Sequence, residues 1–571
     1  MQLSALDWFA FAAVVGAPLA IGVYFYRRAG RNLQQFFLSN RDLPWWLSGT
    51  SMVATTFAAD TPLAVTGIVA ISGIAGNWIW WNAALGTMLT VFFFARLWRR
   101  AGITTDVEFA ELRYAGRPAA FLRGFRALYL GLPLNCLIIG WVNLALAKVL
   151  AVTLGWERLT AVFVGLAATG IYTALSGLRG VVVSDIVLFA VATLGAWALA
   201  HFALAAAEVG GIDGLTRQLP AETFQLLPQF GAAPDGAQAF ALPLTAFIAF
   251  LGLQWWASWY PGQEPGGGGY LAQRMMSAKD ERHALLATLW FAVAHYCLRP
   301  WPWIVVALAA LVLYPDLADR ESGYALVMRD HLPAGWRGLM IGGFFAAYMS
   351  TVSTQLNWGT SYLINDVYAR FLRARAGQRE LVAASRIATL LVMLLSGWVT
   401  FHLEDVRQAW EFALESGAGI GLVLILRWYW WRVNAVSEIV ALAASAAGFI
   451  GLRLFTAIAF PESLLYLVPW TTACWLAATW MTPPEPLSRL TAFYLRVRPG
   501  GPGWAPVAAR VCGDRPDRIG GRLADWGAGI LLVYGLLFAA GALLFGTAAS
   551  ASLWTALAVA GGAWLQRRGI R

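Results

Sequence analysis

Residues 48–62 read SGTSMVATTFAADTP, and this stretch decides the fold. It lies within a mainly apolar run, 45–71, which exceeds the roughly 20 residues that a helix needs to cross a bilayer. Small polar side chains, the acid Asp60 and Pro62 are unfavourable at mid-membrane in a continuous lipid-facing helix. An unwound turn at this depth would instead free backbone carbonyls and amides for binding. The stretch therefore predicts a broken membrane helix.

A second break is predicted five spans later, where residues 259–269 read WYPGQEPGGGG. No helix runs unbroken through two prolines and five glycines. The two broken spans face opposite ways in the topology given below, which indicates an inverted repeat of five plus five spans. The alternative is that 261–269 is a loop outside the membrane.

The composition of the whole chain agrees with a membrane protein. Of its 571 residues, 59% are apolar and only 13% are charged, against about 45–50% and roughly 25% in soluble proteins. These values exclude a soluble multidomain protein and a disordered chain. Reading for apolar runs predicts an all-α polytopic membrane protein with about 15 transmembrane helices.

The positions of the basic residues predict the orientation. With the N-terminus outside, 32 of the 41 Lys and Arg residues fall on cytoplasmic loops or the cytoplasmic C-terminus, as the positive-inside rule requires. The predicted location is therefore the inner (plasma) membrane. The net charge of +10 is then an orientation signal, and we expect the lipid bilayer, no nucleic acid and no obligate protein partner.

The ninth predicted span is rich in hydroxyl groups. Residues 348–357 read YMSTVSTQLN and place Ser350, Thr351, Ser353 and Thr354 within five positions. Hydroxyls combined with freed carbonyls are the oxygen ligands that an alkali cation needs. The alternative is helix–helix packing through small residues, which is common in membranes.

Several separated motifs resemble those of the sodium/solute symporters, and the resemblance runs from about residue 36 to residue 432. The motifs are FFLSNRDLPWW at 36–46, SGLRG at 176–180 with Ser184-Asp185, QRMMSAK at 273–279, and the hydroxyl-rich segment followed by NDVY at 365–368. The resemblance implies the leucine-transporter-type inverted-repeat fold. The branch of the family, and with it the substrate, is not identified.

The resemblance also implies sodium sites. The main site would use backbone carbonyls of Ala54, Phe57 and Ala347 and the hydroxyls of Ser350 and Thr351. A possible second sodium site would use Asp185, Ser353 and Thr354. Na⁺ is the only cofactor expected.

The substrate pocket departs from that of the family's sugar transporters. Their polar sugar-binding positions correspond here to Trp80, Ala83, Leu298 and Trp410, so recognition of a galactose-like sugar is not expected. The intramembrane cation of Arg299 favours an anionic or zwitterionic substrate, unless it pairs with Glu264 or a carbonyl. The predicted substrate-binding residues are Asp60, Thr61, Trp80, Trp81, Asn82, Trp256, Trp259, Tyr260, Gln263, Glu264, His295, Arg299 and Trp410.

The predicted organisation follows from the two breaks. It comprises an N-terminal extra helix and cytoplasmic loop (1–44), a first five-helix repeat (45–207), an external loop (208–239), a second five-helix repeat (240–432) and accessory C-terminal helices (433–571) with a cytoplasmic segment (482–525).

The predicted function is sodium-coupled symport of a small organic solute, of the sugar, amino acid or carboxylate class, by alternating access. Proton coupling is an alternative, because Asp60, Asp185 and Glu264 could titrate. A membrane sensor or an integral-membrane enzyme would belong to another class. No segment after residue 482 is long enough for a kinase domain, and no nucleophile is placed beside a histidine, so we do not expect an enzyme.

Overall fold

The computed structural model describes residues 3–29, 38–56, 58–176, 178–227, 243–258, 266–511 and 519–569. These residues form helices joined by short connections, and among them there is no β-strand. The helices before residue 210 are α1 (Ala5–Ala29), α2 (Trp45–Thr55), α3 (Asp60–Ser72), α4 (Ile74–Ala101), α5 (Gly116–Leu154), α6 (Arg158–Ser176) and α7 (Leu178–Leu204).

The second half of the chain repeats this order and then adds helices. Short helices Gly211–Gln218 and Ala221–Phe224 precede it. The main elements are α8 (Leu244–Ala257), α9 (Gly269–Ser277), α10 (Glu281–Leu313), α11 (Gly323–His331), α12 (Trp336–Ser361, continued by the π-helical Tyr362–Leu372), α13 (Gln378–Thr400), α14 (Val406–Ser416), α15 (Gly421–Tyr429), α16 (Ala435–Phe455), α17 (Leu464–Met481), α18 (Leu487–Val497), α19 (Ile519–Phe545) and α20 (Ala548–Arg567).

Both predicted breaks coincide with helix ends. Helix α2 ends at Thr55 and α3 begins at Asp60, and their axes differ in direction by 58°. Helix α8 ends at Ala257, and α9 begins at Gly269 after Gly266 and Gly267, whose φ angles of 88° and 82° favour glycine. The prolines of the second break, residues 261 and 265, lie outside the described residues.

The two broken helices run in opposite directions. Leu43, just before α2, forms a parallel bridge with Ala278, just after α9, and the Lys279 amide donates to the Leu43 carbonyl at 2.9 Å. The start of α2 therefore lies beside the end of α9. This antiparallel relation is the geometry of an inverted repeat; the bounds of the two repeats, 45–207 and 240–432, stay a prediction.

Nine of the described helices are long and apolar enough to cross a membrane, or up to eleven if each of two bent pairs is one span. The second bent pair is α14 and α15, at 49°. Other helices of the core are too short or too polar to be recognised as membrane spans by length and composition alone. The count of fifteen spans therefore stays a prediction.

Helix α1 lies against α12 at very short range. The Asp7 side chain accepts hydrogen bonds from the amides of Gly335 and Gly338, at 2.8 and 3.0 Å, and so caps the start of α12. A Cβ atom added to Gly338 would lie 1.9 Å from the Asp7 carbonyl oxygen. The contact requires glycine at position 338, because an added Cβ would strike backbone atoms of Asp7, which cannot rotate away as a side chain could.

We expect Gly338→Ala to destabilise the protein by more than the 1–3 kcal/mol typical of overpacking, because two helix backbones must separate. Thermal unfolding in detergent measures this effect. Gly16→Ala in α1 is the matched control, since its added Cβ meets no atom within 4 Å and alanine is the better helix former. An unchanged midpoint for Gly338→Ala would show that the α1–α12 contact is loose.

Helix α18, within the predicted segment 482–525, packs on one end of the bundle. Helix α18 buries Leu490, Phe493, Tyr494 and Val497. Phe493 lies edge-on to Phe109, with ring centroids 5.6 Å apart. The apolar face of α18 therefore packs on the rest of the protein.

Candidate functional site

Three helices meet at a buried carboxylate. Asp185 of α7 accepts from the Ser51 hydroxyl of α2 at 2.6 Å and from the Ser350 hydroxyl of α12 at 2.5 Å. The next hydroxyl on α12, that of Thr351, donates to the Thr55 carbonyl at 3.1 Å, in the last turn of α2. We call Ser51, Asp185, Ser350 and Thr351 the hydroxyl cluster; their side chains are buried.

The other predicted sodium ligands lie beside this cluster. The Ser353 hydroxyl donates to the Ser350 carbonyl at 3.0 Å. The buried Thr354 hydroxyl makes no hydrogen bond to any of the described residues. Ala54 is buried in the last turn of α2 and Ala347 is buried in the middle of α12, whereas Phe57 lies outside the described residues.

Sequence reasoning missed two members of this region. The predicted sites include neither Ser51, which lies in the first broken stretch, nor Arg274, which lies in the motif at 273–279. The Arg274 Nε donates to the Ser51 hydroxyl at 3.3 Å, and its main-chain carbonyl accepts from Ser48 at 3.1 Å. Arg274 is fully buried and provides positive charge close to Asp185.

A partly open cavity lies next to the hydroxyl cluster, and the space unfilled by protein atoms in it and at its mouth, part of it open to solvent, is about 830 Å³. Its polar wall is made by Thr55, Thr56, Asp60, Thr61, His295 and Gln355. Its aromatic wall is made by Trp80, Trp141, Tyr270 and Trp410. An aromatic and apolar cleft with a few convergent polar groups is typical of a small-molecule site.

Five of the predicted substrate-binding residues line this cavity: Asp60, Thr61, Trp80, His295 and Trp410. Sequence reasoning did not find Trp141, Tyr270 or Gln355. Trp141 lies on an apolar helix that carries no signal for a site, whereas Tyr270 directly follows the glycine run and Gln355 belongs to the hydroxyl-rich segment 348–357, so these two stood in stretches that the sequence does mark.

Three other predicted residues lie away from the cavity wall. The Trp81 ring packs edge-on against Phe538 of α19, with centroids 5.9 Å apart. The Asn82 amide donates to main-chain carbonyls of its own helix, at 2.7 and 3.0 Å. The Trp256 indole likewise donates to Gly252 at 2.7 Å. The predicted residues Trp259, Tyr260, Gln263 and Glu264 lie outside the described residues.

Arg299 is directed at the backbone of the first broken helix. Its Nη1 donates to the Val53 carbonyl at 2.8 Å and to the Thr56 hydroxyl at 3.0 Å. Its guanidinium carbon lies 4.9 Å from the centre of the Trp303 ring, within cation–π range. The last carbonyls of a helix lack intrahelical donors, so Arg299 stabilises the end of α2.

Thr351 belongs both to the hydroxyl cluster and to the cavity wall. A ligand in the cavity and an ion at the cluster would therefore contact the same side chain.

An ion-pair cluster ties the helices together beyond one end of the cavity. Lys148, near the end of α5, pairs with Glu321 at 2.7 Å and with Asp319 at 3.1 Å. Glu321 also accepts the Val406 and Arg407 amides at 3.1 Å each, at the start of α14. We call this the Glu321 cluster.

A second cluster lies near the other end of α5. Asp106 accepts from the Gly269 amide at the start of α9, at 3.1 Å, and also from the Tyr362 hydroxyl. Beside it, Arg123 pairs with Asp366 at 2.5 Å. Lys148 and Arg123 are 25 residues apart on one helix, roughly 38 Å at 1.5 Å per residue. This Asp106 cluster is thus at the opposite face of the bundle.

Glu111 reinforces the Asp106 cluster. It pairs with Arg123 at 2.6 Å and with Arg370 at 3.0 Å. Burial alone would raise the pKa of Glu111, but the hydrogen bonds from Arg370 and Arg123 outweigh burial and lower that pKa below its ordinary value. Glu111 is therefore charged at neutral pH.

Comparison with known proteins agrees with this architecture. Residues 36–448 match the sodium:solute symporter family. The solute carrier family 5 member 4B of Mus musculus is 26% identical over 454 residues, which are 73% of this chain and 67% of that protein. The sodium/glucose cotransporter of Vibrio parahaemolyticus is 23% identical over 495 residues, which are 82% and 89% of the two chains.

A solved structure shares the fold. A substrate-bound, outward-open Na⁺-coupled sialic acid symporter superposes with a TM-score of 0.67 and 19% identity, covering 85% of this chain and 100% of that chain. The family match covers most of the chain and agrees with the inverted repeat and the broken helices. The chain belongs to the sodium:solute symporter family.

Proposed function

We propose that this protein is a sodium-coupled symporter that imports a small organic solute across the plasma membrane by alternating access. The single observation that carries the proposal is the position of Thr351 between the hydroxyl cluster and the cavity. The proposed orientation has the N-terminus outside and the C-terminus in the cytoplasm, as the distribution of basic residues requires.

Sodium would bind where α2 ends against α12. The proposed ligands of the main ion are the carbonyls of Ala54, Phe57 and Ala347 and the hydroxyls of Ser350 and Thr351. These are five uncharged oxygens, which suits an ion that must also be released. In the described conformation the Ser350 and Thr351 hydroxyls donate to Asp185 and Thr55. They would exchange these acceptors for contacts in which their oxygens face the ion.

A second ion could bind at Asp185, Ser353 and Thr354. The buried Thr354 hydroxyl, which has no partner among the described residues, supports this part of the proposal, because buried polar groups are normally satisfied. The charge of Arg274 near Asp185 would weaken such a site, so we place the main ion at the uncharged ligands.

Coupling follows from differential binding. A ligand shifts a conformational equilibrium only by the difference in its affinity for the two states. Sodium would order the end of α2 against the middle of α12, including Thr55 and Thr351, both of which line the cavity. The solute would then meet a formed wall, and each ligand would raise the affinity for the other by the same factor.

Proteoliposomes test the proposal. Purified protein is reconstituted, and uptake of a panel of labelled sugars, amino acids, carboxylates and amines is compared under an inward Na⁺ gradient and under K⁺ at constant pH. We expect at least one solute to accumulate only with the Na⁺ gradient. Accumulation that persists in K⁺ and follows an imposed proton gradient would replace sodium by proton coupling.

A further inference from the structure

The Asp60 carboxylate forms part of the cavity wall. It lies in the first turn of α3 and is 6% exposed. Its contacts are with the Thr61 hydroxyl at 3.3 Å, with main-chain amides of the same turn and with the Trp141 indole. These donors hold the acidic group of Asp60 in the cavity wall.

The guanidinium of Arg299 lies near Asp60 but is not part of the cavity wall. Arg299 acts on Asp60 through its charge. Its Nη1, however, is directed to the Val53 carbonyl and the Thr56 hydroxyl. A ligand in the cavity therefore contacts the carboxylate directly and the guanidinium only through intervening groups.

The other cavity groups complement a cation. The Trp80 indole N–H donates to Asn77 at 2.9 Å, and its ring, which lines the cavity, also stacks on Tyr296 with centroids 6.0 Å apart. Trp141 and Trp410 add two more large aromatic rings to the wall. The buried side-chain oxygens of Gln355 and Thr55, which lack a hydrogen-bond partner among the described residues, are further acceptors.

We propose that the transported solute carries a positively charged nitrogen, an amine or a quaternary ammonium, which Asp60 binds between the rings of Trp80, Trp141 and Trp410. This inference rests on the proposed function, since it takes the cavity as the solute site. Aromatic rings bind ammonium groups through their π faces, and a carboxylate supplies the counter-charge. An anionic solute would meet the Asp60 charge directly.

Binding to purified protein in nanodiscs tests this inference. Tetramethylammonium, methylammonium, choline and glycine betaine are titrated by calorimetry in 100 mM Na⁺, with D-glucose and acetate as uncharged and anionic probes. We expect saturable binding of at least one cationic probe and none of glucose or acetate. Binding of acetate or glucose with no ammonium binding would overturn the inference.

Substitutions at two positions, Asp60 and Trp410, localise the effect. Asp60→Asn should raise the Kd of the bound ammonium probe at least thirtyfold. Trp410→Leu should raise it about tenfold, while Trp410→Phe should keep it within threefold of the wild type because the aromatic face is retained. Asp213→Asn, on the short helix Gly211–Gln218, is the matched control and should leave the Kd unchanged. An unchanged Kd in Asp60→Asn would also overturn the inference.

Sodium binding separates this inference from the proposed function. ²²Na⁺ binding by the Asp60→Asn protein is expected to match that of the wild type, which also shows that the variant is folded. Sodium binding without any ammonium binding would leave the symporter proposal standing and reject the ammonium site. Loss of ²²Na⁺ binding in Asp60→Asn would instead make Asp60 part of the ion site and reject its role toward the solute.

Discussion

Replacing both Ser350 and Thr351 by alanine should raise the sodium concentration for half-maximal uptake at least about a hundredfold. The double variant removes two of five proposed sodium ligands, and each hydroxyl–ion contact is expected to contribute roughly 1.5–3 kcal/mol, as hydrogen bonds to charged groups do. A loss of about 3 kcal/mol corresponds to a factor of more than one hundred. Uptake in proteoliposomes at graded Na⁺ measures the shift.

Ser361→Ala is the matched control for the double variant. Ser361 is a buried hydroxyl on the same helix, but it donates to the Trp358 carbonyl within that helix at 2.7 Å. Its removal should leave the sodium dependence unchanged. Equal sodium dependence in the double variant and in wild type would reject Ser350 and Thr351 as ligands.

Breaking the Glu321 cluster should open the cavity toward that end of the bundle. Glu321→Ala removes the closer of the two carboxylate partners of the mostly buried Lys148, which keeps Asp319, and it removes the acceptor of two amides of α14. Breaking a buried ion pair costs about 3–5 kcal/mol, and only the state in which the cluster is formed loses this stabilisation. The equilibrium should therefore shift toward the state open at the Glu321 end.

Cysteine labelling reports this shift. Ala58→Cys places a thiol in the cavity wall, in a chain whose four native cysteines are replaced. Labelling by an impermeant maleimide from the Glu321 side should become about tenfold faster in Glu321→Ala. Asp106→Ala, at the opposite cluster, should slow labelling from this side and speed it from the other. If both substitutions changed the labelling rate in the same direction, the Glu321 and Asp106 clusters would not close opposite ends of the cavity.

The sequence predicted the breaks because their cause is local. Helix α2 ends at Thr55 and α3 begins at Asp60 with Pro62 in its first turn, where a proline is tolerated, and α8 ends at Ala257 while α9 begins only at Gly269. The hydroxyl-rich segment of α12 was equally visible, because Ser350 and Thr351 are neighbours in the chain.

The contacts that make a site from these parts could not be predicted. Ser51 and Asp185 are 134 residues apart, and Asp185 and Ser350 are 165 apart, so only the packing of three helices brings them together. Trp80 and Trp81 are adjacent in sequence, yet successive helical side chains diverge by about 100°. Trp80 therefore lines the cavity whereas Trp81 packs on Phe538.

Arg299 shows how a broken helix changes the role of a charge. As an isolated intramembrane cation, it favoured an anionic or zwitterionic substrate. In the structure its Nη1 is bound to a carbonyl in the last turn of α2, and among the described residues that line the cavity the acidic group is that of Asp60. The expected charge of the solute is thereby reversed.

Equilibrium binding of ²²Na⁺ to the purified protein tests the central claim most directly, because it requires no knowledge of the solute. We predict saturable ²²Na⁺ binding that excess unlabelled Na⁺ displaces and K⁺ does not. The double variant Ser350→Ala, Thr351→Ala should lose this binding, and Ser361→Ala should retain it. Absence of saturable binding in wild type, or equal binding in wild type and the double variant, would contradict a sodium site between α2 and α12.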